Sequence, residues 1–124
     1  MDKEKKPQNL INSIFSLSKD IRYVALYSNE KLTSSVKSDL EDTSASESDK
    51  YEELIVNPAI LTLARQRGNI DCGGCKFVLI RYGNFYQYVR SLNNGHISIC
   101  IQPYADPLEL NTRIEEVLRK YDCL

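Results

Sequence analysis

Cys72-Gly73-Gly74-Cys75 is the one stretch of this sequence with the spacing of a chemical motif. Two cysteines three positions apart can exchange disulfides or supply half of a zinc site. A redox pair usually places its first cysteine at a helix N-terminus, where the dipole favours the thiolate. Here the pair follows a predicted helix and precedes a predicted strand, which removes that means of activation. Zinc would need two further ligands, and only His96, Cys100 and Cys123 remain, none of them repeating the paired spacing. The simplest reading is a glycine-rich turn with incidental thiols. A thiol switch and a metal site on Cys72 and Cys75 are the alternatives.

His96 is the only histidine. A Ser-His-Asp or Cys-His nucleophile would have to use it. It follows the hairpin residue Gly95, which predicts an exposed strand start, and no oriented partner is visible for it. The glycines form neither a Walker A loop nor a G-x-G-x-x-G fingerprint. Glu52-Glu53 and Glu115-Glu116 are expected on solvated helix faces. No catalytic residue and no cofactor are therefore expected, and the protein reads as a non-enzyme. Tyr82, Phe85, Tyr86 and Tyr88 lie close to Arg81 and Arg90, a combination that can stack nucleobases. Cross-strand packing accounts for the same residues more simply. A formal net charge of −1 gives no general attraction to nucleic acid or to an anionic membrane.

The elements that must position these residues are legible from periodicity and turns. The 124 residues fit one domain, and the 42% hydrophobic fraction is enough for a core. No apolar run approaches the roughly 20 residues of a membrane span. The charged N-terminus has no apolar signal-peptide region. Four cysteines then read as thiols of a cytoplasmic protein. Residues 1–6 read as a flexible N-terminus and 7–124 as the domain.

Pro7 opens a helix whose stripe is Leu10, Ile11, Ile14, Phe15 and Leu17. Ile21–Tyr27 reads as a strand. After the turn Ser28-Asn29-Glu30-Lys31, Leu32–Lys37 reads as a weak edge strand. Ser38–Lys50 is rich in Ser, Asp and Glu and reads as a polar loop, either a plain linker or a phosphorylatable regulatory segment. Tyr51–Val56 can form a helical turn. Asn57 as cap and Pro58 at the first position start a helix with Ile60, Leu61, Leu63 and Ala64 on its buried side, ending at Gly68. Gly83-Asn84 and Asn93-Asn94-Gly95 separate three β-rich runs, Phe77–Tyr82, Phe85–Leu92 and His96–Gln102, and predict a meander with primed turns. Asp106, Pro107 and Glu109 outline a capping box for a last helix striped by Leu110, Ile114, Val117 and Tyr121.

Helix, two strands, helix, three strands, helix is an order that resembles the roadblock/LC7 family of profilin-like folds. The likeness spans about Gln8 to Tyr121 by element matching and rests on topology and glycine-punctuated strands. It implies an α/β (α+β) domain, αββαβββα, with one five-stranded, mainly antiparallel sheet ordered 2-1-5-4-3 and the first and last helices sharing one face. It also implies a non-enzymatic dimeric scaffold, paired with itself or a similar domain, that regulates a small GTPase or a signalling complex. A small-ligand sensor of PAS or profilin-like type is the other reading of such a sheet. In that order the third strand is an edge. Phe77-Val78-Leu79-Ile80 is apolar on both faces and has no proline, so an exposed edge there would template aggregation. A dimer interface is therefore expected on Phe77, Val78, Leu79, Ile80 and Tyr82, with Ile60, Leu61 and Leu63 of the neighbouring helix.

Overall fold

The computed structural model of the chain describes residues 5–37 and 46–124. The expected tail therefore falls outside the described residues over 1–4, and the polar loop over 38–45, while Lys5 and Lys6, read as tail, already belong to the first helix, which starts before Pro7. Helix α1 spans Lys5–Phe15, β1 Ile21–Ser28 and β2 Lys31–Val36. A short helix α2, Ser46–Tyr51, runs into a π turn at Glu52–Val56 and then into α3, Asn57–Asp71. Strands β3 (Val78–Arg81), β4 (Tyr86–Leu92) and β5 (Gly95–Ile101) follow, and α4 (Pro107–Lys120) closes the chain. The strands form one sheet ordered β2-β1-β5-β4-β3, antiparallel throughout, as expected.

Strand alternation divides the sheet into two unlike faces. One presents Val24, Leu26, Tyr88, Ile97, Ile99 and Ile101. Leu10, Ile11 and Ile14 of α1 and Leu110, Ile114 and Leu118 of α4 cover it, making the main core. Leu118, rather than Tyr121, completes the buried stripe of α4. Asp106 caps α4 by accepting a hydrogen bond from the Glu109 amide, 3.2 Å. A polar network ties α4 to β4. Arg90 donates to Glu115, 3.0 Å, and to the Tyr88 hydroxyl, 3.1 Å, which itself donates to Asn111, 2.5 Å. The guanidinium holds the Glu115 carboxyl below the usual carboxylate range. Arg90 and Tyr88 are thereby buried and engaged, so they are no part of an exposed base-stacking platform.

The second face carries Tyr23, Ala25, Gln87, Val89, His96, Ser98 and Cys100, and the rod formed by α2, the π turn and α3 lies over it. The rod differs from the expectation in three ways. Residues 46–50 are helical, not loop. Asn57 is not a cap but a buried helical residue, φ −64° and ψ −44°. Pro58 sits inside a continuous helix instead of starting one. Lacking an N–H, it cannot bond the carbonyl four residues back, and its ring would crowd that carbonyl. The helix widens just before it, with the Asn57 amide bonded to Glu52 five residues away.

Nor does Gly68 end the helix. It is buried within α3, and a Cβ there would lie 2.7 Å from the backbone of Gly74. The helix stops four residues later, where the Cys72 and Gly74 amides both donate to the Gly68 carbonyl, each at 3.0 Å. On the solvent side of this end, Arg67 pairs with Asp71, 2.7 Å.

The turns also exchange roles. Gly83-Asn84 contains no positive φ and Asn93-Asn94-Gly95 has one only at Gly95, which is nearly extended at 159°, while Asn29 and Glu30, at φ 54° and 67°, form the primed turn between β1 and β2. A left-handed glutamate is strained by about 1–2 kcal/mol. Glu30→Gly should relieve it and raise stability by about 0.5–1 kcal/mol, net of the greater freedom of the unfolded chain. Urea titration would show this as a higher midpoint with unchanged slope.

Candidate functional site

Glu53 is the unexpected centre of the second layer. The sequence suggests a solvated helix face, yet Glu53 is 1% exposed. His96, expected at an exposed strand start, is 4% exposed. The two meet across 43 residues of sequence, the His96 Nε2 donating to Glu53 Oε1 at 2.9 Å. Asn57 Nδ2 donates to the same oxygen at 3.0 Å. Glu53 and Asn57 are four apart, so one side of the rod presents both. Tyr27 of β1 stacks on the imidazole with ring centres 5.8 Å apart.

Nearby, Gln87 of β4 donates to Ser98 and accepts from the Cys100 thiol, 3.0 Å. Burial, helped by the charge of Glu53, pushes the Cys100 thiol well above its ordinary range. It is therefore a poor nucleophile. His96 has a hydrogen-bonded carboxylate, and its Nε2 is committed to that carboxylate. The Glu53–His96 pair instead holds the rod on the sheet.

The cysteine motif lies elsewhere. Cys72 is exposed and its thiol donates to Asp71, 3.3 Å, while the Cys75 thiol donates to the Phe77 carbonyl, 3.8 Å. No group of three or more His, Cys, Asp or Glu residues that could hold a metal is found among the described residues.

The residues expected at an interface separate into two sets. Val78, Leu79 and Ile80 lie half-buried on β3, which is the sheet's edge and pairs only with β4 among the described residues. Phe77 precedes the strand and stacks on Tyr88, 5.1 Å between ring centres, and Tyr82 follows it, packed beside Phe85 at 5.3 Å. On α3, Leu61 points to the sheet and is buried, and Ile60 is half-buried. Leu61 is thus unavailable to a partner. Leu63, expected on the buried side, is 67% exposed. It shares the outer face with Ile55 and Ile70, which is 75% exposed. The positions 55, 59, 63, 66 and 70 recur at helical spacing, so the apolar side chains among them form a stripe directed away from the sheet.

Two measurements test the site. His96→Leu leaves the buried carboxylate with Asn57 alone and should destabilise the fold by about 3 kcal/mol in urea titration, against about 1 kcal/mol for His96→Gln. Equal, small effects would show that the pair does not hold the rod. The double variant Cys72→Ser, Cys75→Ser should keep its melting temperature within a few degrees, as expected for changes away from a core. Stoichiometric zinc in the parent protein, with unfolding on chelation, would contradict this.

No protein-family model matches the chain, and no curated protein does. Among solved structures, it is similar to the gliding protein MglB of Thermus thermophilus, with a TM-score of 0.64 at 12% identity. The match covers 94% of this chain and 90% of that one. No helix among the described residues is long and apolar enough to cross a membrane. The sheet order, the helices on each face and this structural match together show a roadblock/LC7-like fold, α+β and profilin-like in arrangement.

Proposed function

We propose that the chain is a non-enzymatic interaction module that dimerises through its β3 edge and the outer face of α3. The composite surface of two copies, or of one copy and a similar domain, would then regulate a small GTPase or a signalling complex in the cytoplasm. The observation that carries this reading is the coincidence of an apolar strand edge, open among the described residues, with an exposed apolar helix stripe. Val78, Leu79 and Ile80 are flanked only by Lys76 and Arg81, and β3 carries no proline or bulge to blunt it. Beside it, Ile55, Leu63 and Ile70 leave water only if something packs on α3. A twofold axis beside β3 satisfies both needs, joining the sheets and laying one α3 against its mate. The GTPase is what the roadblock-like fold suggests as a class of partner.

Sedimentation equilibrium at about 10 μM should give twice the 14.2 kDa chain mass. Leu63 and Ile70 face outward, so Leu63→Asp with Ile70→Asp should leave the helical signal in circular dichroism intact. The pair should weaken association by about 100-fold or more, a loss typical of interface centres. A monomeric parent, or a double variant that still dimerises, would defeat the proposed interface.

A further inference from the structure

Strand β2 lies at the opposite margin of the sheet from β3 and pairs only with β1 among the described residues. It contains no proline or glycine, and its register with β1 is unbroken. Just beyond it, the Lys37 amide donates to the Arg22 carbonyl at 3.0 Å. Backbone groups alternate in direction along an antiparallel strand, so Ser35, Thr33 and Lys31 also turn theirs to β1. Leu32, Ser34 and Val36 turn theirs outward.

Side chains alternate as well. Thr33 and Ser35 lie opposite Leu26 and Val24, so they share the face covered by α1, with Lys31 and Lys37 in the same row. On that face a groove of about 380 Å3 runs between α1 and the end of β2. Phe15, Ile21 and Val36 line it together with Lys19 and Lys37, and no carboxylate does so among the described residues. Lys37 Nζ donates to the Lys19 carbonyl, which holds this ammonium in place with donors left over. Gln8 Nε2 donates to Ser35 Oγ at 3.4 Å and ties α1 to the strand.

The charges select what can pair here. Lysines guard sheet edges against their own kind. Centred on Ser34, two copies of β2 would set Lys31 of each against Lys37 of the other, like charges directly opposite. The same lysines favour a strand of opposite charge.

We propose that β2 and the groove beside it take an extended, acidic segment of a partner protein, added to the sheet as a further strand. Its main chain bonds to the outward groups of Leu32, Ser34 and Val36. Its carboxylates stand on the α1 side, opposite Lys31 and Lys37, and β-branched residues between them lie beside Leu32 and Val36. Strand addition of this kind draws affinity from main-chain hydrogen bonds and selectivity from alternate side chains. A small anion would leave the row of backbone groups unused. Occupancy of β2 and dimerisation at β3 involve opposite margins of the sheet and are separate measurements.

The probe is the peptide acetyl-Glu-Val-Thr-Val-Thr-Val-Glu-amide. Its sequence is the same in either direction, so a glutamate meets Lys31 and Lys37 whichever way it runs. Added at millimolar concentration to the full-length protein labelled with 15N, it should give saturable shifts at the amides of Leu32, Ser34 and Val36 and slow their exchange with solvent. Glutamine in place of both glutamates should weaken binding about tenfold, the size expected for two exposed ion pairs. The double variant Lys31→Gln, Lys37→Gln should weaken the glutamate peptide equally. Proline in place of the central valine should abolish binding, because that residue's N–H faces Ser34. Ser34→Pro removes an outward N–H and no ladder bond, so it should keep the parent's circular dichroism and lose the peptide. Equal binding of the glutamate and glutamine peptides would overturn the acidic assignment, and equal binding of the proline peptide would overturn strand addition. Slow exchange at Leu32, Ser34 and Val36 in dilute protein without peptide would mean that the chain covers this edge itself. Shifts there that follow protein concentration would mean that a second copy does. Either result, or no shift at these amides with peptide, would overturn the proposal.

Discussion

A carboxylate taken wholly out of water governs the second layer of this protein. An isolated buried carboxylate is strongly unfavourable, so Glu53 is tolerable only where donors meet it. His96 and Asn57 both donate to the same oxygen, one from the sheet and one from the helix itself. Hydrogen bonds of this kind are directional, so the rod can neither slide nor roll on the sheet without stranding the charge. Rotation of the rod is thereby set, and with it the direction of every other residue on α3. Leu61 is turned inward and buried, whereas Leu63 and Ile70 are left on the opposite side. The outer stripe is as much a product of the buried pair as of its own sequence.

The two layers are held by different physics. Beneath α1 and α4 the interface is almost wholly aliphatic, and apolar contact tolerates small adjustments of angle and depth. The polar exception there, Arg90 with Glu115, Tyr88 and Asn111, lies toward one side of α4 and links it to β4. Under the rod the interface is more polar, with Ser98, Gln87, Cys100 and His96 set beside Ala25 and Val89. It contributes less from burial of apolar area and more from fixed geometry. A domain arranged in this way has one thick, forgiving core and one thin, exacting contact.

The strands, the order of the meander and the first and last helices are legible in the sequence because their signals are local, whereas the pairing of β1 with β5 is only what the family resemblance implies. Alternation, short turns and the Asp106-Pro107-Glu109 start each act within a few residues. The rod misleads because its local signals have second uses. Asn57-Pro58 looks like a helix start, but the widened turn before Pro58 absorbs the missing N–H. Gly68 looks like a helix end, but its lack of a side chain serves the close pass of Gly74. Leu63 reads as buried on apolar character alone, although a helix that is apolar on two sides offers no local clue to which side meets its own sheet. The Glu53–His96 pair spans 43 residues, and nothing in either neighbourhood announces the other. The left-handed Glu30 is equally hidden, because the residue type argues against the conformation it adopts.

The place of β5 in the sheet has a consequence in time. It pairs on one side with β4 through a tight turn and on the other with β1, whose Val24 meets an Ile99 far along the chain. The meander can close on a microsecond scale, whereas the central β1–β5 ladder must first bring distant parts of the chain together. Such non-local pairing slows folding more than local pairing does. On a ribosome, the β1–β2 hairpin emerges long before its central neighbour and must wait with the backbone groups that later pair with β5 unsatisfied. The edge strands of the finished sheet, β2 and β3 among the described residues, are therefore not the only ones the cell must guard. During synthesis the free side of β1 is a further, transient edge that closes only when β5 has left the exit tunnel.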